Sequence, residues 1–256
     1  MKRAVFFTGR KGGTGKTKIA RLLAEIHRSR KTGPVLVDAD CGVGQFLKHL
    51  GMRDTDGRLL NPQPSPIEGG VVAIDWHADT ESRAALAEVL AYGRPTIVDL
   101  PGGSLDDFRM LDRNAGYLDV VRDMGIAATF VSPVTPWVET WADALAIRDW
   151  APSVAHVLAV NHDFGTDDDF VDWVTSETRS KLLASGSREI GLPLLPSGIA
   201  ARIAKHRLTF HGAIKSDRLL IMDRGWVQRW LARATAAIDE AGDLLGLDPT
   251  TRGEQS

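Results

Sequence analysis

The sequence of 256 residues predicts a doubly wound α/β domain, a mostly parallel sheet with helices on both faces. Three observations predict it. Short apolar runs alternate with longer amphipathic stretches along the chain. Several of these runs end on an aspartate or asparagine. A glycine-rich loop joins the first apolar run to the first amphipathic stretch. Hydrophobic residues make up 43% and charged residues 25%, the proportions of an ordinary globular chain with a real core.

Ala4-Val5-Phe6-Phe7 lies in a first strand over residues 3–8. Residues 16–31 form a helix with Ile19, Leu22, Leu23 and Ile26 on one face and basic residues at its C-terminal end, where the helix dipole favours them. Gly33-Pro34 breaks the chain before the short buried strand Val35-Leu36-Val37, and residues 43–51 form a short helix. From Arg53 to Gly70 the chain is polar and carries Pro62, Pro64 and Pro66. So long a connection reads as a surface loop or as a partner-contact loop. Residues 71–75 are a strand and 79–92 a helix with Thr80 as its cap. A strand follows from Thr96 to Asp99, then a helix over 105–124 that Gly116 interrupts. Residues 126–131 are the next strand. Thr135 caps the following helix with Pro136 in its first turn, and Trp137 and Trp141 fall one turn apart on a packing face. Residues 155–160 are a strand ending in Asn161, and the acids from Asp163 to Asp169 lead into a helix over 168–184. The last strand lies within 189–195. A long helical pattern over 216–245 carries the apolar stripe Trp226, Trp230, Ala234, Ala237 and Ala241. Residues 1–246 thus read as one domain ending in basic helices over about 197–245, and 247–256 as a polar tail.

The chain carries chemistry at the ends of its strands. Thr8 to Thr17 reads strand, glycine loop, helix start, the arrangement that cradles a nucleotide phosphate. Gly12, Gly13, Thr14 and Gly15 let the backbone close around an anion with its N–H groups inward. Lys16 can reach the outer phosphates, and the Thr17 hydroxyl can ligate Mg²⁺. Asp38-Ala39-Asp40 ends the second strand and Asp99 a later one, where carboxylates can serve a magnesium ion or an attacking water. The Asn161 amide can read an adenine edge with one donor and one acceptor.

The loop departs from the ordinary phosphate loop, because Arg10 stands where the first glycine is expected and Lys11 is an additional lysine. Lys-Gly-Gly-x-Gly-Lys-Thr resembles the deviant Walker A box of the ParA/MinD superfamily of dimerising P-loop NTPases. The strand, Asp, x, Pro pattern at Asp99-Leu100-Pro101 is similar to that family's Walker B segment. The resemblance implies an ATPase that uses ATP and Mg²⁺ and forms an ATP-dependent homodimer, with an unidentified protein partner stimulating slow hydrolysis. It implies that Lys11 contacts nucleotide across the dimer and that Lys16 and the loop hold the phosphates. It places Asp40 by the lytic water, Thr17, Asp38 and Asp99 around magnesium, and Asn161 and Pro196 against the base. Arg207-Leu208-Thr209-Phe210, Ala213, Asp217, Leu219-Leu220-Ile221-Met222 and Arg224 resemble the C-terminal region of TraL- and StbB-type proteins of conjugative plasmids, which points to plasmid DNA partition or conjugal transfer. A P-loop kinase that phosphorylates a small molecule is the alternative. It explains Gly-Lys-Thr but not Lys11.

The formal net charge is −2, so bulk charge does not mark the chain as a polyanion binder. Residues 202–233, however, hold eight Lys or Arg against Asp217 and Asp223. This stretch reads as a patch for non-specific DNA or as a solvated face of the terminal helices. A membrane-inserting terminus is not expected, since the apolar stripe stops before Asp248 to Glu254. The single cysteine, Cys41, excludes an intramolecular disulfide, and its most economical role is packing. It also argues against relatives that hold an iron–sulfur cluster through paired cysteines. With no apolar run near about 18 residues and no signal peptide before the first strand, the expected location is the cytoplasm.

Overall fold

The structure, a computed structural model, describes residues 2–40 and 44–247. In chain order the strands are β1 (Arg3–Phe7), β2 (Val35–Asp38), β3 (Val71–Ala73), β4 (Thr96–Asp99), β5 (Ala127–Val134), β6 (Ala155–Asn161) and β7 (Arg188–Leu192). The helices are α1 (Lys16–Ser29), α2 (Gln45–Leu50), α3 (Thr80–Leu90), α4 (Ser104–Ala115), α5 (Tyr117–Asp123), α6 (Val138–Trp150), α7 (Val171–Thr175), α8 (Glu177–Ala184), α9 (Ser197–Lys205), α10 (Phe210–Lys215) and α11 (Ile221–Glu240).

The strands form one sheet in the order β3-β2-β4-β1-β5-β6-β7, and every pairing is parallel. A parallel sheet must be covered on both faces, and the two-residue alternation of β1 does this. Val5 and Phe7 join a core with α1, α2 and the C-terminal helices α9 to α11. Ala4 and Phe6 join the opposite core with α3, α4 and α5. Trp141 and Ala144 of α6 pack with Trp173 and Leu182 over β6. This is the doubly wound α/β arrangement of a P-loop NTPase, as the sequence predicts.

Several local expectations are corrected. Asp79, not Thr80, caps α3, its carboxylate accepting the N–H of Ser82 at 2.6 Å. The α6 helix begins at Val138, because Thr135 turns its hydroxyl to Thr140 and the chain stays extended at Trp137. Trp137 therefore lies off the helix face that buries Trp141, and is 41% exposed. The helix expected over 168–184 is a 3₁₀ turn followed by α7 and α8. Ser176 ends α7 and caps α8 by accepting the Arg179 N–H at 3.0 Å. The pattern over 216–245 gives α11 and a separate 3₁₀ turn, Gly242–Leu245. Trp230, Ala234, Ala237 and Ala241 are buried, whereas Trp226 is 54% exposed. The connection 53–70 is a hydrogen-bonded loop. Gln63 ties it to Met52, and the Arg28 guanidinium donates to the carbonyls of Leu50 and Gly69, each at 3.0 Å. Cys41 and the tail beyond Leu247 lie outside the described residues.

Phe108 of α4 is the hub of one core. Its ring meets Phe6, Trp76, Tyr117, Phe130 and Trp150 at centroid distances of 5.2 to 5.6 Å. Phe108→Ala should lower stability by about 3–5 kcal/mol in denaturant titration. A loss below about 1 kcal/mol would contradict this packing.

Candidate functional site

Sheet register assembles the site. Phe7 pairs with Asp99 and Asp99 with Asp38, so β1, β4 and β2 end level with one another. The glycine loop leaves β1 at that row, on the edge where open parallel sheets hold ligands. Asn161 ends β6 beyond the row, since Val157, not Asn161, lies level with Phe7 through Val131.

Gly13 and Gly15 carry φ of 71° and 92°, a left-handed backbone that glycine adopts freely. A Cβ on Gly15 would also run into the Asn161 amide. Three neighbours hold the loop from outside. The Asp143 carboxylate of α6 accepts the N–H of Arg10 at 2.7 Å and of Lys11 at 3.4 Å. Gly103, at the start of α4, donates its N–H to the carbonyls of Gly9 and Arg10 at 3.1 and 3.0 Å. Asn161 donates to the Thr14 carbonyl at 3.2 Å. The N–H groups of Gly12, Gly13, Thr14 and Gly15 donate to no other group among the described residues. The first-turn N–H groups of α1 have no intrahelical acceptor. Together they form an anion nest at a helix N-terminus.

The Lys16 side chain lies in this nest, donating to the Lys11 carbonyl at 2.9 Å. Burial lowers its pKa, and Asp99, Asp143 and Asp40 pull it back. Asp99 is 2% exposed, and burial pushes its carboxyl up to about 7. The Thr17 hydroxyl and Lys16 favour the charged form, while Asp38 and Asp40 oppose it. Asp99 Oδ1 has no hydrogen-bond partner among the described residues. A buried, unpartnered carboxyl oxygen beside a threonine hydroxyl fits a divalent cation. No cluster of three or more His, Cys, Asp or Glu gathers among the described residues. Mg²⁺ takes few protein ligands and completes its shell with phosphate and water.

Asp38 is buried, and both its oxygens are engaged. They accept the Asp40 N–H at 3.1 Å and the Leu47 N–H at 2.6 Å, fixing the passage from β2 into α2. Burial still raises its pKa. Asp40 is half-buried, its backbone bridged to Asp75. Pro196 precedes α9, in a loop joined to Asn161 through Asp163. That carboxylate accepts the Leu195 N–H at 3.0 Å and pairs with Lys18, and the Asp163 N–H donates to the Asn161 side-chain oxygen Oδ1 at 3.2 Å.

Lys11 points away from its own loop. Its ammonium sits 4.4 Å over the Trp137 ring and 3.6 Å from Glu139 Oε2. Trp137 in turn packs edge-on against Phe164 at 5.2 Å. Arg10 bridges Asp106 at 2.8 Å and Asp143 at 3.3 Å.

Sequence reasoning missed Asp143, Trp137, Glu139 and Asp163. Asp143 sits inside a helical stretch with no motif around it. Trp137 reads as core or interface packing. Only the position of Asp163, next to the strand-end Asn161, offered a signal.

No protein-family model matches the sequence, and no curated protein matches it. Solved structures match over nearly the whole chain. The septum site-determining protein MinD from Pyrococcus horikoshii, complexed with Mg-ADP, is 16% identical, with 95% of this chain and 99% of that one covered at a TM-score of 0.53. A protein from Borrelia burgdorferi described as a plasmid partition protein, bound to AMPPNP, is 14% identical over 94% and 99%, at 0.52. The MinD cell division protein of Aquifex aeolicus is 15% identical over 90% and 97%, at 0.51. The chain therefore shares the P-loop fold of MinD and of a partition protein.

Asp99 gives a pH test. The unfolded chain ionises it near 3.8, while the folded chain keeps its proton up to about 7. Its contribution to stability therefore falls as pH rises through that window. Asp99→Asn should raise the thermal midpoint relative to wild type by an amount that grows from pH 4 to 7, in nucleotide-free scanning calorimetry. A difference independent of pH would contradict the shift.

Proposed function

We propose that the chain is an ATP-dependent dimerising ATPase of ParA/MinD type that acts in plasmid DNA partition or conjugal transfer. The observation that carries this is the pair of lysines. Lys16 sits in the loop's own anion nest, while Lys11 is held outside it on Trp137 and Glu139. A lysine of the loop that its own loop does not use is available to a second copy. The nucleotide complexes of the structural neighbours, Mg-ADP and AMPPNP, support the ligand class.

In this reading the N–H groups from Gly12 to Thr17 and the Lys16 ammonium bind the phosphates. Bound Mg²⁺ would supply positive charge to the phosphate oxygens. Thr17 and Asp99 hold it, and Asp38 acts from further out by ordering the segment that carries Asp40. Asp40 orients the attacking water. Asn161, already committed to Thr14 by one N–H, keeps a second donor for the base, with Pro196 beside it. Lys11 of each copy completes the site of the other. The basic stretch 202–233, in which Arg202 pairs with Asp223, offers non-specific DNA its phosphate contacts. A kinase would need an arginine lid over the site. Arg53 and Arg58 of loop 53–70 are instead tied to Gly57 and Asp56 of that loop and to Lys48 of α2.

Light scattering with Mg²⁺ and ATP or ADP tests the dimer. The mass should double with ATP only, and Lys11→Ala should stay monomeric while still binding nucleotide. A wild type that is monomeric throughout would overturn the reading. Asp40→Ala should dimerise yet lose turnover by on the order of 10²-fold or more, the usual loss of a positioned acid–base group. Unchanged turnover would remove Asp40 from the chemistry.

A further inference from the structure

Asp163 stands two residues beyond the strand-end Asn161, in the 3₁₀ turn His162–Phe164. Both its carboxylate oxygens are taken. Oδ1 accepts the Leu195 N–H at 3.0 Å, and Oδ2 pairs with the Lys18 ammonium from the first turn of α1. Its own N–H donates to Asn161 Oδ1 at 3.2 Å. One residue thus joins the end of β6, the loop before Pro196 and the start of α1. Phosphate binding by the glycine loop uses none of these bonds.

Lys18 is held on a second side. Its ammonium lies 4.9 Å from the centre of the Trp230 ring, and Trp230 Nε1 donates to the Pro193 carbonyl at 2.8 Å. Lys18, Asn161, Pro193 and Trp230 line one narrow cleft. The Lys18 and Asp163 side chains are 23% and 20% exposed, so solvent screens their pair only in part.

Asn161 is largely committed as well. One of its amide N–H groups goes to the Thr14 carbonyl at 3.2 Å, and Oδ1 takes the Asp163 N–H. What remains is one N–H and one oxygen lone pair, a donor beside an acceptor. Adenine offers the matching acceptor and donor in its ring N1 and 6-amino group. Guanine instead offers two donors together, N1–H and the 2-amino group, and two donors call for a carboxylate, which only accepts. The Asp163 carboxylate is bonded to this strand end but is closed by Lys18 and Leu195.

We infer that Lys18 sets the choice of base: by closing the Asp163 carboxylate it leaves a site that matches adenine and denies guanine its acceptor. The inference rests on the proposed nucleotide site and adds two positioning residues to it. Lys18 acts through Asp163, and Asp163 acts through Asn161 and the loop at Leu195. Unmatched donors on a bound guanine lose their bonds to water without replacement, which is how such a site rejects the wrong base.

Calorimetric titration of ATP and GTP, each with Mg²⁺, into the full chain and into Lys18→Met tests it. Wild type should prefer ATP. Lys18→Met, which frees Asp163 Oδ2, should bind GTP about tenfold or more tightly than wild type does, the gain expected for one charge-assisted bond. Damage to the fold weakens binding, so a gain reports the freed carboxylate. The gain should vanish in the double variant Lys18→Met, Asp163→Asn, and Lys18→Arg, which keeps the ion pair, should choose its base as wild type does. If wild type binds ATP and the GTP affinity of Lys18→Met is unchanged or weaker, the role of Lys18 is overturned and the nucleotide site stands. A gain that survives Asp163→Asn overturns that role as well. A wild type that binds neither nucleotide overturns the nucleotide site itself and the base choice with it.

Discussion

A phosphate loop must keep its N–H groups free and yet hold one shape. Free N–H groups cannot fold the loop on themselves, so the loop has to be held by groups outside it. Here the Asp143 carboxylate, the Gly103 N–H and the Asn161 amide do this from α6, α4 and β6. Each comes from a different element at the same edge of the sheet. They take the backbone of Gly9 to Lys11 and the Thr14 carbonyl and leave Gly12 to Gly15 open. The left-handed Gly15, pressed against Asn161, then turns the chain into α1 with its N-terminus aimed at the nest.

The rest of the site follows from that hold and from sheet register. Because Asp38, Asp99 and Phe7 end level, the acids stand beside Lys16 without any sequence proximity. Burial of Asp99 gives a carboxyl that keeps its proton up to about 7, so a cation bound there would have to displace that proton. The α6 element has two tasks. Asp143 fixes the start of the loop, and Trp137 with Glu139 holds Lys11 to one side. Moving α6 therefore moves the loop and the lysine together.

The strand ends were legible because an apolar run that stops at a polar residue marks both an element and its edge. Thr8, Asp38, Asp99 and Asn161 are found that way, and the parallel register then brings them to one edge. Glycine spacing showed where the backbone must turn left-handed. Asp143 was not legible, since its role depends on where α6 crosses the loop rather than on its neighbours in the chain. Trp137 and Trp226 misled for one reason. A tryptophan at helical spacing reads as a packing residue, but α6 starts two residues later than expected and α11 buries a narrower face than its pattern suggests. The break at Ser176 was hidden because a serine that caps the next helix looks like an ordinary helix residue.

Calorimetric titration of Mg²⁺ and ATP into wild type and Asp143→Ala tests whether the loop is a phosphate site held from outside. Wild type should bind one nucleotide per chain. Asp143→Ala, with an unchanged far-ultraviolet spectrum, should bind about tenfold or more weakly, as expected for losing two backbone bonds and the Arg10 ion pair to a carboxylate. Equal affinity in the variant, or no binding by the wild type, would contradict that arrangement.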